Sequence, residues 1–165
     1  MDIEAVASLC AKECVRQHVG LDRVGYLINA YVLAHRLRNC RILPTLNDCL
    51  AIARLVEPRD ADGFRRMPAV FDQGVEATAS SAIPESMDRL FLHAEGADPA
   101  EWTKAFLRIH PFGDGNGRTA FLLYNWVGNT LDHPVPLPDF FLEPDKEAGM
   151  RWHSSRDTLS DSFVG

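Results

Sequence analysis

Nine consecutive residues, His110-Pro111-Phe112-Gly113-Asp114-Gly115-Asn116-Gly117-Arg118, interrupt a helical pattern that is strong on both sides. Before them, Trp102, Ala105, Phe106 and Ile109 recur at i, i+3, i+4 and i+7, the stripe of a half-buried helix. After them, the run TAFLLYNWVG is apolar almost all round, as expected of a helix enclosed at the centre of a fold. Three glycines within five positions break the helix between the two and let backbone N–H groups turn inward together. The chain must therefore fold around a polar, glycine-rich loop that joins an amphipathic helix to a central one.

Helical signals also cover most of the remainder. Val24, Leu27, Ile28 and Tyr31 follow helical spacing in a segment running towards Asn39. Thr45 with Asp48 three residues on is a capping-box variant, opening a helix that ends before Pro58. Pro84 suits a first helical turn, with Met87, Leu90, Phe91 and Ala94 on one face. Asp98-Pro99-Ala100-Glu101 combines an N-cap, a first-turn proline and an N3 acid. Residues 64–80 depart from this pattern: 64–71 and 75–78 flank Asp72-Gln73-Gly74, the signal of a short hairpin. Beyond Gly128 the proline-rich run His133-Pro134-Val135-Pro136-Leu137-Pro138 predicts an extended, surface-wrapping segment. The last dozen residues, polar and serine-rich, read as a tail. With no internal repeat, the expectation is a single all-α domain over 1–165, with one short β-hairpin, a core over about 24–135 and a tail over 150–165.

Charge and composition narrow the partners. A formal charge of −6 argues against non-specific nucleic-acid binding, because the phosphates would be repelled. No stretch approaches the roughly 18 apolar residues of a membrane span, so no membrane partner is expected. The start, MDIEAVASLCAKE, carries acids where a secretory signal has a basic region, which predicts a cytoplasmic location. Four cysteines in 165 residues are too sparse for a disulfide scaffold. Cys10, Cys14 and His18 stand at i, i+4 and i+8 along one predicted helix face, where a metal would still need a fourth ligand. Ile3, Val6 and Ala7 make that face apolar, and the reading adopted is core packing.

The interhelical loop gathers unusual chemistry. The helix that follows begins near Arg118, so its N-terminal N–H groups and dipole favour an anion there, and Arg118 adds a bidentate phosphate donor. Asp114 is a carboxylate of the kind that holds magnesium beside phosphates. His110, closing the preceding helix, can serve as a base near neutral pH. Such a set fits phosphoryl-type transfer. A Walker loop is excluded by the short glycine spacing, the absent lysine and the preceding helix. An EF-hand starting at Asp114 is excluded by Arg118 and Thr119, where an oxygen ligand and a glycine would be needed.

HPFGDGNGR matches in full the signature HPFx[DE]GNGR, and on that motif the chain resembles the Fic family. Gly63-Phe64-Arg65 and Ala82-Ile83-Pro84-Glu85-Ser86-Met87 are similar to the segments bordering the family's "flap" hairpin, and residues 42–55 to the helix upstream of it. The resemblance covers about 24–135 and implies the Fic-type helical fold. It further implies that His110 deprotonates an incoming hydroxyl and Phe112 anchors the loop. Asp114 would bind Mg2+, while Gly113, Gly115, Asn116, Gly117 and Arg118 would cradle the phosphates of ATP or another nucleotide. The flap, 64–83, would align a protein target bearing a hydroxyl side chain by strand addition.

Two departures qualify the resemblance. The family signature continues G-R-x-x-R, and Phe121 stands where the second arginine would grip the distal phosphate. The family's inhibitory motif [ST]-x-x-x-E-[GN] is missing too, which leaves room for a separate inhibitor protein. The exit Arg118-Thr119-Ala120-Phe121 instead resembles the Doc toxins, which phosphorylate proteins, whereas Gly117 replaces the Doc lysine and leaves the inner phosphates room. The first expectation is a nucleotidyltransferase moving AMP from ATP to a protein Ser, Thr or Tyr hydroxyl. The alternatives are Doc-like phosphorylation or another phosphate-linked transfer, and a non-catalytic nucleotide-binding module.

Overall fold

A computed structural model describes residues 2–60, 63–71 and 76–138. Its regular structure is helical: α1 (Ile3–Arg16), α2 (Val24–Arg38), α3 (Leu46–Val56), α4 (Ile83–Leu92), α5 (Pro99–Ile109) and α6 (Asn116–Val127). Four of the helix starts have a local cause. Asp2 caps α1 by accepting from the Glu4 and Ala5 N–H groups, and Asp98 does the same for Ala100 and Glu101 at α5. Thr45 and Asp48 form the full reciprocal capping box on α3, and Pro84 occupies the first turn of α4.

The core is organised around α6. Ala120, Phe121, Leu122 and Leu123 are fully buried, and Trp126 is nearly so. Helices α2, α3 and α5 all pack against α6, α2 and α3 also pack on each other, and α1 joins through α2. That enclosure explains an apolar sequence with no solvent face: each buried Leu or Phe contributes roughly 1.5–3 kcal/mol relative to exposure. Several polar side chains carried inside are hydrogen-bonded. Trp126 donates its indole N–H to the Ile42 carbonyl at 2.9 Å. Asn125 binds the backbone of Val135 in both directions and accepts from the Thr130 hydroxyl. The Tyr31 hydroxyl donates to the Leu131 carbonyl. These bonds, with buried Leu131 and Leu137, fasten the proline-rich exit across the helices.

Four details differ from the sequence reading. Helix α1 ends at Arg16, and His18 sits beyond it, exposed, with a left-handed φ of 55°. It therefore leaves the face shared by Cys10 and Cys14, which are core residues whose thiols burial pushes up, Cys10 to about 12. Helix α6 starts at Asn116, two residues before Arg118. The hairpin is not built as strands among the described residues: Val70 and Glu76 form an isolated antiparallel bridge, and the Ala77 N–H donates to the Ala69 carbonyl at 2.9 Å. Its turn, Asp72-Gln73-Gly74, lies outside the described residues, as does the tail over 150–165.

The fourth difference is Phe121. An arginine three residues after Arg118 was expected to share its face and reach a distal phosphate, but Phe121 is fully buried in the core. Phe121→Arg should therefore bury an unpaired charge, costing about 3–5 kcal/mol and lowering the melting temperature by roughly 10 °C, with no gain in ATP affinity. Thermal unfolding measured alongside ATP titration checks this. A variant that melts like the parent would remove Phe121 from the core.

Candidate functional site

The loop begins where α5 stops. His110 closes that helix in a left-handed conformation, φ 49° and ψ 62°, with its N–H donating to the Phe106 carbonyl at 3.1 Å. This is the position glycine usually fills, and Pro111 then forbids further helix. A histidine held there needs outside support. Arg65 supplies part of it: its Nε donates to the His110 carbonyl at 2.6 Å and its backbone N–H to the Pro111 carbonyl at 2.8 Å. The imidazole meets the Phe71 ring edge-on, with ring centres 5.4 Å apart. Burial, then the nearby Arg65 charge, pushes the His110 pKa down to about 4, against an opposing pull from Asp114. The ring is thus neutral at pH 7, the protonation state a base requires.

The loop is anchored from below. Phe112 is buried between Phe64 and Phe106, at ring-centre distances of 6.2 and 6.3 Å. Asn116 clamps the same residue: its Oδ1 accepts the Phe112 N–H at 3.0 Å and its Nδ2 donates to the Phe112 carbonyl at 2.7 Å. Its side chain therefore shapes the loop, and what Asn116 offers an anion is its backbone N–H. Gly115 is obligatory twice over. Its φ is 77°, and a Cβ there would lie 3.0 Å from Val56 and 3.3 Å from Glu57.

Arg118 and Asp114 are placed differently from the expectation of two separate contacts to a ligand. Arg118 is 1% exposed. It donates to the Val56 carbonyl at 3.2 Å, to Glu57 at 3.4 Å and to Asp114 at 3.1 Å. Its guanidinium ties the loop to the end of α3 rather than projecting as an open phosphate clamp. Asp114 also accepts the Gly115 N–H at 2.5 Å. The donors that remain pointed along the axis are the first N–H groups of α6, which lack partners within the helix and carry the positive dipole end. Gly117 lies in this turn, and a Cβ on it would come within 2.5 Å of the Gln17 side-chain oxygen at the end of α1.

Sequence reasoning missed the residues that surround the loop. Glu57, 1% exposed, receives Arg23 at 3.1 Å, Arg59 at 3.4 Å and Arg118 at 3.4 Å. Nothing in its local context announces this, because Arg118 lies 61 residues away. Among the described residues no three His, Cys, Asp or Glu side chains gather as an all-protein metal cage. Magnesium beside phosphates needs only one or two carboxylates, and Asp114, whose side chain is 21% exposed, fits that donor set.

The depressed His110 pKa sets a pH dependence with a definite sign. Below about 6.5 the unfolded chain protonates this histidine while the folded one does not, so stability falls as pH drops from about 6.5 to about 4 and then levels off for this group. In an NMR titration the His110 ring signal should move with a midpoint near 4. A midpoint near the ordinary 6.5 would show that the ring is not desolvated as described.

Two solved structures of Fic-1 from C. elegans resemble the fold. Fic-1 (aa134 - 508) matches at 24% identity and a TM-score of 0.53, covering 70% of this chain and 40% of that one. Its E274G form matches at 23% identity and a TM-score of 0.50, covering 78% and 44%. The chain thus spans less than half the length of these structures, and at such identity the likeness concerns the fold. No curated protein matches the sequence. The model of the Fic/DOC family matches residues 57–127, a span that holds α5, the loop and α6. Over that span, the chain is similar to the Fic/DOC family.

Proposed function

We propose that this chain is a Fic-type transferase that moves AMP from ATP onto a Ser, Thr or Tyr hydroxyl of a protein target in the cytoplasm, with 1–165 acting as one domain. The observation that carries the reading is a desolvated, neutral His110 fixed at the mouth of the loop whose other end is the N-terminus of a buried helix. In this reading the His110 ring takes the proton of the acceptor hydroxyl as its oxygen attacks the α-phosphorus. The bond to the bridging oxygen breaks and pyrophosphate leaves. The N–H groups of Asn116, Gly117 and Arg118 receive the phosphate oxygens, and the glycines at 113, 115 and 117 keep side chains out of their way. Mg2+, held by Asp114 and the nucleotide itself, would neutralise charge on the phosphates. The segment 64–83 would present backbone groups to the acceptor, and a separate inhibitor protein would regulate access.

A second reading is phosphoryl transfer of the Doc kind. Phe121 favours it, since the core residue at that position leaves a distal phosphate without a second arginine. Incubation with magnesium and a panel of nucleotides, followed by intact mass measurement of the protein and candidate targets, separates the two: a gain of AMP's mass supports the first and of phosphate's mass the second. No gain on any target would count against both.

Two variants test the assignments. His110→Ala should slow transfer by about 10²–10⁴-fold while nucleotide affinity stays nearly intact, because the imidazole acts on the hydroxyl. Wild-type turnover by this variant would exclude His110 as the base. Gly117→Lys should push the Gln17 side chain aside and crowd the inner phosphate position. AMP transfer should then fall more than nucleotide affinity, and unchanged transfer would reduce Gly117 to a turn residue.

A further inference from the structure

The Arg65 side chain is the most heavily engaged group near His110, and it does not touch the phosphate cradle. It is 9% exposed. Besides the bond from Nε to the His110 carbonyl at 2.6 Å, its terminal nitrogens donate to the Ile109 carbonyl at 3.3 Å, the Met67 carbonyl at 2.8 Å and the Thr78 carbonyl. Two of these acceptors end α5, where orphan carbonyls and the negative dipole end collect. The other two lie on either side of the Val70–Glu76 bridge, one before it and one after. The backbone adds two bonds of the same sense: Arg65 N–H to the Pro111 carbonyl at 2.8 Å and Thr78 N–H to the Arg108 carbonyl at 3.4 Å.

We propose that Arg65 is a positioning residue: its one guanidinium fixes Met67, Thr78 and the left-handed His110 in a single rigid frame, so that an acceptor docked beside Met67 and Thr78 meets the imidazole at a set distance. The inference rests on the transferase reading for its consequence, though not for its geometry. A guanidinium suits the task because it is planar, always charged and carries five N–H donors in a fixed fork. A lysine ammonium keeps the charge but has three donors on a flexible stem, so it cannot span four carbonyls from two directions. The left-handed turn at His110 has no glycine to ease it, and the bond to its carbonyl is what an Arg65→Lys change would release.

Arg65→Lys is the informative variant, since it separates geometry from charge. We expect its transfer turnover to fall about 10–100-fold, the loss typical of reacting groups misplaced by about an ångström. The KM for the nucleotide should stay within about twofold, because the α6 N-terminus is untouched. Its His110 ring resonance should shift from the parent position, while the exposed Arg89→Lys control reproduces the parent in both readouts. A variant with parental turnover and an unmoved His110 resonance would overturn the proposal. If the variant fails to fold, the unaltered protein still decides: the Arg65 Nε–H should exchange with solvent at least about 100-fold more slowly than that of Arg89 and show a through-bond coupling to the His110 carbonyl carbon. Fast exchange with no coupling would overturn the proposal as well. Absence of any transfer by the unaltered chain would defeat the transferase reading alone, because the ring shift and the Nε–H exchange are read without turnover.

Discussion

A helix with almost no polar face has to be enclosed, and the enclosure of α6 governs what happens at its first turn. With α2, α3 and α5 around it, the N-terminus of α6 is drawn up against the ends of other elements: the C-terminus of α3 at Val56 and Glu57, and the end of α1 at Gln17. Gly115 then has no room for a side chain and must also turn left-handed. The glycine-rich loop is thus a packing requirement of the central helix as much as the proposed anion site. Both demands are met by the same residues, since close approach and inward-facing amides each need a missing Cβ.

Charge inside this junction is balanced locally. Arg118 and Glu57 are both almost wholly buried, and an unpaired charge in either place would cost several kcal/mol. Arg23 and Arg59 on one oxygen of Glu57, Arg118 on the other, and Asp114 on Arg118 form a chain of alternating sign leading from the protein interior to the loop. Of its two carboxylates Asp114 is the more exposed, and a cation brought there with phosphates would compete with Arg118 for it. Under the proposed function, ligand entry at this loop would be an exchange of partners within a pre-existing network rather than the filling of a bare pocket.

Much of the fold was legible because its signals are local. The capping box at Thr45 and Asp48, the Asp98 cap, and the all-round apolar run of α6 each lie within a few residues and each specify one element. The loop was legible as a string for the same reason. What escaped was non-local. Arg118 has the chemistry of a phosphate donor, yet its partners Val56 and Glu57 come from more than sixty positions upstream, and no periodicity encodes that meeting. Arg65 likewise reads locally as a charged residue in a loop, and only the fold brings it under the carbonyls of Ile109 and His110. His18 and Phe121 were misplaced for a simpler reason: ideal helical spacing was extended across a helix end in one case and onto a fully enclosed face in the other.

His110, the proposed base, illustrates how these constraints combine. A histidine could be kept neutral by exposure at high pH alone, but that would surrender control of its position. Here burial does both: it removes the water that would stabilise the imidazolium and packs the ring against Phe71. Arg65, placed to satisfy the end of α5, disfavours the imidazolium further, whereas Asp114 opposes it. A proton taken up during transfer would therefore sit on a poorly solvated ring and leave it readily, and Asp114 is the group whose charge eases that moment. The same guanidinium that orders the backbone of the turn thus tunes the ring that the turn presents.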